Sequence, residues 1–126
     1  MDIQILLVDD EPQFLEMSRT KWEKEGEKTE VDTTTDPKEA LEKIDATDYD
    51  VIVADYKMPE MTGLELLKKV RDRGFETPFI ILTAKGGEEV AMEALNLKAD
   101  RYLKKNMSPE KQFEVIVETI YEKPVS

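Results

Sequence analysis

The chain has 126 residues, of which 40% are hydrophobic and 37% are charged, so it can build one domain with a solvated surface and does not look disordered. Its formal net charge of −11 disfavours contact with nucleic acid phosphates and anionic membranes, and we expect direct binding to neither. It contains no cysteine and no histidine, which excludes disulfides, thiolate metal sites and imidazole catalysis. The N-terminus has no leader-like pattern and no apolar run could cross a bilayer, which predicts a cytoplasmic protein.

The first half of the chain predicts two strands and two helices. Residues 5–8 form a continuous apolar run, as expected of a strand buried on both faces of a parallel sheet. A helix with one inward face follows and ends near Gly26; that face comprises Phe14, Leu15, Ser18 and Trp22. Residues 30–34 are more polar and predict an edge strand. Asp36 then caps a second helix that has Pro37 at its first position, and the inward residues are Ala40, Leu41 and Ile44.

The second half predicts three strands and three helices. The strands lie at residues 51–54, 79–82 and 102–103, the last being short and at the other edge. Thr62 and Glu65 form a capping-box pattern before a third helix, a fourth is predicted after residues 86–87, and Ser108 with Pro109 begins a fifth. Their inward faces are, in order, Leu66, Leu67 and Val70; Val90, Ala91, Ala94 and Leu95; Phe113, Ile116, Val117 and Ile120. This alternation predicts a parallel sheet with helices on both faces.

Polar side chains follow the predicted strands at the edge where ligands bind in such sheets. In chain order they are Asp9 and Asp10, Asp55, Thr83, and the pair Lys104 and Lys105. Grouped carboxylates repel one another, and a divalent cation with oxygen ligands, such as Mg²⁺, offsets that repulsion. A carboxylate can also attack phosphorus, and a hydroxyl and an ammonium group can then stabilise the transferring phosphoryl group. Taken singly, each residue has a more ordinary explanation as a helix cap, turn residue or solvated charge, but their joint placement favours a site.

Four stretches carry a resemblance to a known family: ILLVDDEP, VIVADYKMPEMTGLE, FIILTA and ADRYLKK. They closely resemble the receiver domain of two-component response regulators and hybrid histidine kinases. The resemblance covers nearly the whole chain, so residues 1–126 are expected to form one receiver domain. It implies a doubly wound, flavodoxin-like α/β fold with a five-stranded parallel sheet in the order 2-1-3-4-5 and five helices. It also implies Mg²⁺- or Mn²⁺-dependent phosphoryl transfer from a histidine kinase or phosphotransfer domain, within a phosphorelay.

The resemblance assigns a phosphoacceptor and a metal site. Asp55 matches the phosphoacceptor at the start of the D-x-x-M-P-x-M-x-G stretch. The implied metal ligands are Asp10, which binds directly, Asp9, which acts through water, Asp55 itself, and the backbone carbonyl of Lys57.

The resemblance also implies a phosphoryl-binding pair and a switch. Thr83 and Lys105 match the groups that contact the phosphoryl group, and Tyr102 matches the switch aromatic. The Y-L-x-K-P register selects Lys105 rather than Lys104. The family usually has Pro after that lysine, where this chain has Asn106, which predicts either a trans bond with a rearranged loop or a strained cis bond. Phosphorylation is expected to change the face formed by the fourth helix, fifth strand and fifth helix, which contacts a downstream protein or domain.

Three alternatives stay open at this point. A phosphatase with an aspartyl nucleophile usually has a second Asp two residues later, where this chain has Lys57. A flavin or nucleotide carrier needs a phosphate-binding loop after the first strand, where the acidic residues would repel phosphate. A receiver-like module that is never phosphorylated is favoured only by Asn106. The chain is either a stand-alone regulator or part of a longer protein, and we expect no enzyme activity beyond its own phosphorylation and dephosphorylation.

Overall fold

The computed structural model describes residues 2–84 and 99–122, which alternate between strands and helices. The strands are β1 (Ile3–Val8), β2 (Thr29–Thr34), β3 (Val51–Asp55), β4 (Phe79–Thr83) and β5 (Arg101–Lys104). The helices are α1 (Pro12–Glu25), α2 (Pro37–Ala46), α3 (Gly63–Asp72) and α4 (Pro109–Glu122). The fourth helix predicted from the sequence, after Gly86 and Gly87, lies outside the described residues, so α4 corresponds to the last predicted helix.

All five strands are parallel and lie in the order β2-β1-β3-β4-β5. β3 and β4 consist entirely of buried residues, and the more polar β2 and β5 form the two edges. The predicted doubly wound fold is therefore confirmed. The register pairs Asp55 with Leu82 and Thr83 with Lys104, which sets the carboxyl ends of the strands side by side.

Helices cover both faces of the sheet because successive strand residues point to opposite sides. Leu6 and Val8 of β1 pack under α2 and α3, whereas Ile5 and Leu7 pack under α1 and α4. Trp22 is fully buried in the second of these layers. Among the described residues, no helix has the length and apolar character needed to span a membrane.

The predicted starts of α2, α3 and α4 are confirmed by their hydrogen bonds. The Asp36 carboxylate accepts from the Lys38 N–H, and Thr62 and Glu65 form the reciprocal capping box of α3. The Lys111 N–H donates to Ser108 Oγ at the start of α4. These side chains satisfy N–H groups that have no partner within the first turn of a helix.

α4 packs against the core through the predicted apolar positions and buries two polar side chains as well. Ile116 is fully buried, and the half-buried Phe113, Val117 and Ile120 pack against the same core. The other buried positions, which the apolar spacing did not predict, are Gln112 and Thr119. The reason is that both polar side chains have backbone partners: Gln112 donates to carbonyls of the loop after β5, and Thr119 donates to Val115 O. Apolar spacing alone cannot reveal a face that is partly polar.

Candidate functional site

The carboxyl ends of β1 and β3 bring three carboxylates together. One oxygen from each of Asp9, Asp10 and Asp55 lies within 4.8 Å of the others. Asp9 is fully buried, Asp55 is 5% exposed, and Asp10 is exposed. Asp10 and Asp55 open into a cleft of about 760 Å³, whose rim includes Lys57. The sheet therefore presents one buried acid pair with a solvent-facing third acid.

The Lys105 ammonium group reaches this acid cluster from the loop after β5. Its Nζ lies 2.8 Å from Asp9 Oδ2, 2.6 Å from Glu11 Oε1 and 3.8 Å from Asp55 Oδ2. It also lies 4.5 Å above the centre of the Phe14 ring, a cation–π contact. Burial alone would lower the pKa of Lys105, but the hydrogen bonds with Asp9 and Glu11 raise it, so the group stays charged. The neighbouring Lys104 points to solvent instead.

The two buried carboxylates resist ionisation. Burial, and then repulsion by Asp9, raises the pKa of Asp55 to about 7, against the attraction of Lys105. Burial also raises the pKa of Asp9, although Lys105 and the Glu11 N–H, 2.9 Å from Oδ1, both favour its charged form. Lys105 therefore supplies too little positive charge to balance the acids around it.

This donor set fits a hard divalent cation. Mg²⁺ binds through one or two carboxylates and completes its shell with carbonyls, waters and phosphate oxygens. Both Asp9 oxygens already have partners within the protein, Oδ1 with Glu11 N–H and Oδ2 with Lys105. Asp10 is exposed and borders two clefts. Of this pair, Asp10 is thus the residue more free to ligate an ion directly.

Thr83 ends β4 beside this cluster and contacts the predicted switch aromatic. Thr83 is buried, and its Oγ1 lies 3.4 Å from the Tyr102 hydroxyl on β5. Two backbone hydrogen bonds connect the neighbouring strand ends: Tyr56 N–H to Leu82 O at 2.7 Å, and Lys105 N–H to Thr83 O at 2.9 Å. A displacement of Thr83 would therefore disturb its contacts with Tyr102 on β5 and with the Lys105 N–H in the following loop.

The peptide bond between Lys105 and Asn106 is trans, as are all peptide bonds of the described residues. Of the two outcomes predicted for Asn106, the structure shows the trans bond. The Met107 N–H donates to Lys104 O at 3.3 Å and closes the loop as a turn. Lys105 reaches the acids from this turn.

Two contacts of Lys105, with Glu11 and with Phe14, were not predicted from the sequence. Glu11 belonged to the acidic run after the first strand, but its contact with Lys105 spans 94 positions of the chain, and nothing local indicates it. Phe14 was predicted as a core residue, and its ring also supports the Lys105 ammonium group. A second cleft, of about 750 Å³, lies along β2 and α2 near Tyr49 and contains none of the predicted site residues.

Comparison with known proteins agrees with this architecture. The model of the response regulator receiver domain family matches residues 5–117. Response regulator SaeR of Staphylococcus epidermidis is 44% identical over 105 residues, which covers 83% of this chain and 44% of that protein. SaeR of Staphylococcus aureus is 42% identical, with 83% and 45% covered. The chain thus spans less than half the length of these curated relatives.

Solved structures show the same fold. The receiver domain of the Francisella response regulator 1452 has a TM-score of 0.87 at 32% identity, covering 95% of this chain and 98% of that one. Chemotaxis protein CheY4 of Vibrio cholerae has a TM-score of 0.88 at 31% identity, covering 94% and 99%. Because the family model matches most of the sequence and these relatives share its fold, the chain belongs to the response regulator receiver domain family of two-component systems.

Proposed function

We propose that Asp55 of this receiver domain accepts a phosphoryl group from a phosphohistidine on a histidine kinase or phosphotransfer domain. The main support is the surroundings of Asp55, which has Asp9 and Asp10 within 4.8 Å and the Lys105 ammonium group at 3.8 Å. The chain contains no histidine and so cannot carry the donor itself. Catalysis by this chain is confined to its own phosphorylation and dephosphorylation.

In the proposed step an ionised Asp55 oxygen attacks phosphorus while the bond from phosphorus to the imidazole nitrogen breaks, and its electron pair leaves with the imidazole. Lys105 and the Thr83 hydroxyl stabilise the charge on the transferring oxygens. Asp10, Asp55 and the Lys57 carbonyl would hold Mg²⁺ or Mn²⁺, with Asp9 acting through water. When bound, such an ion offsets the negative charge of the carboxylates and of the phosphoryl group.

The Asp55→Asn variant tests this assignment. With acetyl phosphate and Mg²⁺, we expect the wild-type protein to gain the mass of one phosphoryl group and Asp55→Asn to gain none, because the amide is not a nucleophile. A chelator should abolish labelling of the wild type. The matched control is Asp48→Asn, which changes an exposed aspartate just before β3 and should label as the wild type does. Equal labelling of the Asp55→Asn protein would contradict the proposal.

We further propose that residues 1–126 form one cytoplasmic receiver domain. Its output face would comprise β5, α4 and the helix predicted from the sequence after Gly86 and Gly87. This face would bind a downstream protein or domain rather than nucleic acid or membrane. The support is the 3.4 Å contact between Thr83 and Tyr102, which connects the phosphoacceptor site to β5. Amide exchange with and without beryllofluoride should show changes in β5 and α4 beyond the site, and changes confined to the site would argue against a switch.

A further inference from the structure

We propose that Gln112 is a positioning residue: its side-chain amide holds the loop after β5 so that Lys105 reaches Asp55. The residue touches neither the acid cluster nor the cleft, and it acts on the backbone of Lys105. This inference rests on the proposed function of Lys105 in phosphoryl transfer.

Gln112 makes two hydrogen bonds to the loop. Its Nε2 lies 3.3 Å from Lys104 O and 3.2 Å from Lys105 O. Only the nitrogen end of the amide can donate to carbonyl groups, so these contacts also fix the orientation of the amide. The side chain thus bridges the last residue of β5 and the residue that carries the ammonium group.

The core alone gives no reason for an amide at this position. Gln112 is 1% exposed and lies one turn before the fully buried Ile116, where an apolar side chain would avoid the cost of burying polar atoms. Its Oε1 accepts no hydrogen bond from the described residues. The donor end of the side chain is therefore the part that the structure uses, and it is aimed at the loop.

The start of α4 sets Gln112 beneath this loop. Ser108 caps the helix, and its carbonyl accepts the Gln112 N–H at 2.9 Å. Side chains lean toward the N-terminus of an α-helix, so one in the first turn leans back toward the preceding loop. As a result the Lys105 peptide groups are held from two sides, its N–H by Thr83 O and its C=O by Gln112.

Fixing the backbone matters because the Lys105 side chain is long and flexible. Loss of the Gln112 contacts frees the trans loop, which then relies on the Met107–Lys104 turn and the Thr83 hydrogen bond. The ammonium group would spend less time near Asp55, and the maximal rate of phosphorylation would fall. The acids that hold the metal lie on other elements, and the ammonium group offsets part of their charge, so its displacement would not weaken Mg²⁺ binding.

The test combines Gln112→Leu with a matched control on the same helix. Thr119→Val also replaces a buried polar side chain of α4, but Thr119 donates only within the helix, to Val115 O. With acetyl phosphate we expect Gln112→Leu to lower the saturating rate about three- to tenfold. The Mg²⁺ concentration for half-maximal rate should not rise, and the Met107 amide should exchange faster. Thr119→Val should change neither the rate nor that exchange.

A Lys105→Ala background separates positioning from general stability. If Gln112 acts through Lys105, adding Gln112→Leu to Lys105→Ala should lower the rate no further. The inference would be overturned by any of three results for the saturating rate: equal losses from Gln112→Leu in both backgrounds, no loss in Gln112→Leu, or the same loss in Thr119→Val. Gln112→Met, which keeps the length and removes the donor, serves if Gln112→Leu does not fold. A wild-type protein that accepts no phosphoryl group would instead contradict the proposed function, and this inference with it.

Discussion

Asp55 combines two conflicting requirements at the scale of a single residue. A nucleophile must be ionised, yet burial and the neighbouring Asp9 raise the pKa of Asp55 to about 7 from its ordinary 3.8. Ionised Asp55 therefore opposes folding of the metal-free protein. Lys105 reduces this cost but is shared with Asp9 and Glu11.

This conflict predicts a pH-dependent gain in stability for Asp55→Asn. Because the pKa of Asp55 is higher in the folded state, its stabilising protonated form is lost as the pH rises through about 7. In a chelator the variant should therefore be more stable than the wild type by about 1–3 kcal/mol above pH 7, and the gain should shrink near pH 5.

Thermal or urea unfolding at the two pH values measures this gain. Asp48→Asn, at an exposed position, serves as the control and should show little difference at either pH. A gain for Asp55→Asn that is equal at both pH values would mean that the charge of Asp55 is not its cause.

At the scale of elements, the connection from β3 to α3 fixes the position of Asp55. The Gly63 N–H donates to Tyr56 O at 2.8 Å and brings the start of α3 against the end of β3. A Cβ on Gly63 would lie 2.5 Å from Asp55 O and 3.3 Å from Ile81 Cδ1. The first of these atoms is backbone, so only a shift of β3 or α3 would make room.

Gly63→Ala should therefore weaken both stability and phosphorylation. We expect a loss of about 1–3 kcal/mol, as for other overpacked sites, together with a slower reaction with acetyl phosphate because Asp55 is displaced. Gly74→Ala is the matched control: Gly74 has φ +90° with open space around it, so alanine strains the backbone far from Asp55. It should lower stability and leave the phosphorylation rate unchanged. Equal rates in the two variants would argue against displacement of Asp55.

The sequence predicted those features of the elements that depend on local patterns. The apolar runs located β1, β3 and β4, and the caps located α2, α3 and α4, since both signals lie within a few residues. They also placed Asp9, Asp55 and Thr83 at one edge, while the strand order came from the resemblance. The apolar positions of α4 were predicted, but Gln112 was missed because its burial depends on carbonyl groups outside the helix. The contact of Lys105 with Glu11 joins distant parts of the chain that no local pattern connects.

At the scale of the whole molecule, an ion pair lies at the amino-terminal ends of the strands, at the opposite end of the sheet from the acids. Arg71 of α3 donates to Phe75 O at 3.1 Å and Thr77 O at 2.8 Å, and it lies 3.4 Å from Asp100 Oδ2. The same Asp100 oxygen accepts the Phe79 N–H at 2.8 Å. This group joins the end of α3 to the starts of β4 and β5. Burial lowers the pKa of Arg71, against the opposing effect of Asp100.

Arg71→Met should destabilise the whole fold without affecting the site. We expect a loss of about 1–3 kcal/mol in urea unfolding, because three half-buried acceptors, on Phe75, Thr77 and Asp100, lose a donor at once. Arg73→Met is the matched control, since Arg73 pairs with Asp45 at an exposed position and such pairs contribute about 0–1 kcal/mol. Neither change should alter Mg²⁺ affinity. If Arg71→Met lowers the free energy of unfolding no more than Arg73→Met does, the Arg71–Asp100 ion pair does not stabilise the fold more than an exposed pair.

The position of Trp22 gives the molecule an optical probe of its own. Trp22 is the single tryptophan of the chain and is fully buried, eight positions after Phe14 on α1. Phe14 lies beneath Lys105, so Trp22 is about 12 Å farther along the helix axis from the acids. Its emission therefore reports on the packing of the core and is remote from the charges that change when a cation or a phosphoryl group arrives. Unfolding can be followed by intrinsic fluorescence while ligation is followed by another signal in the same cuvette.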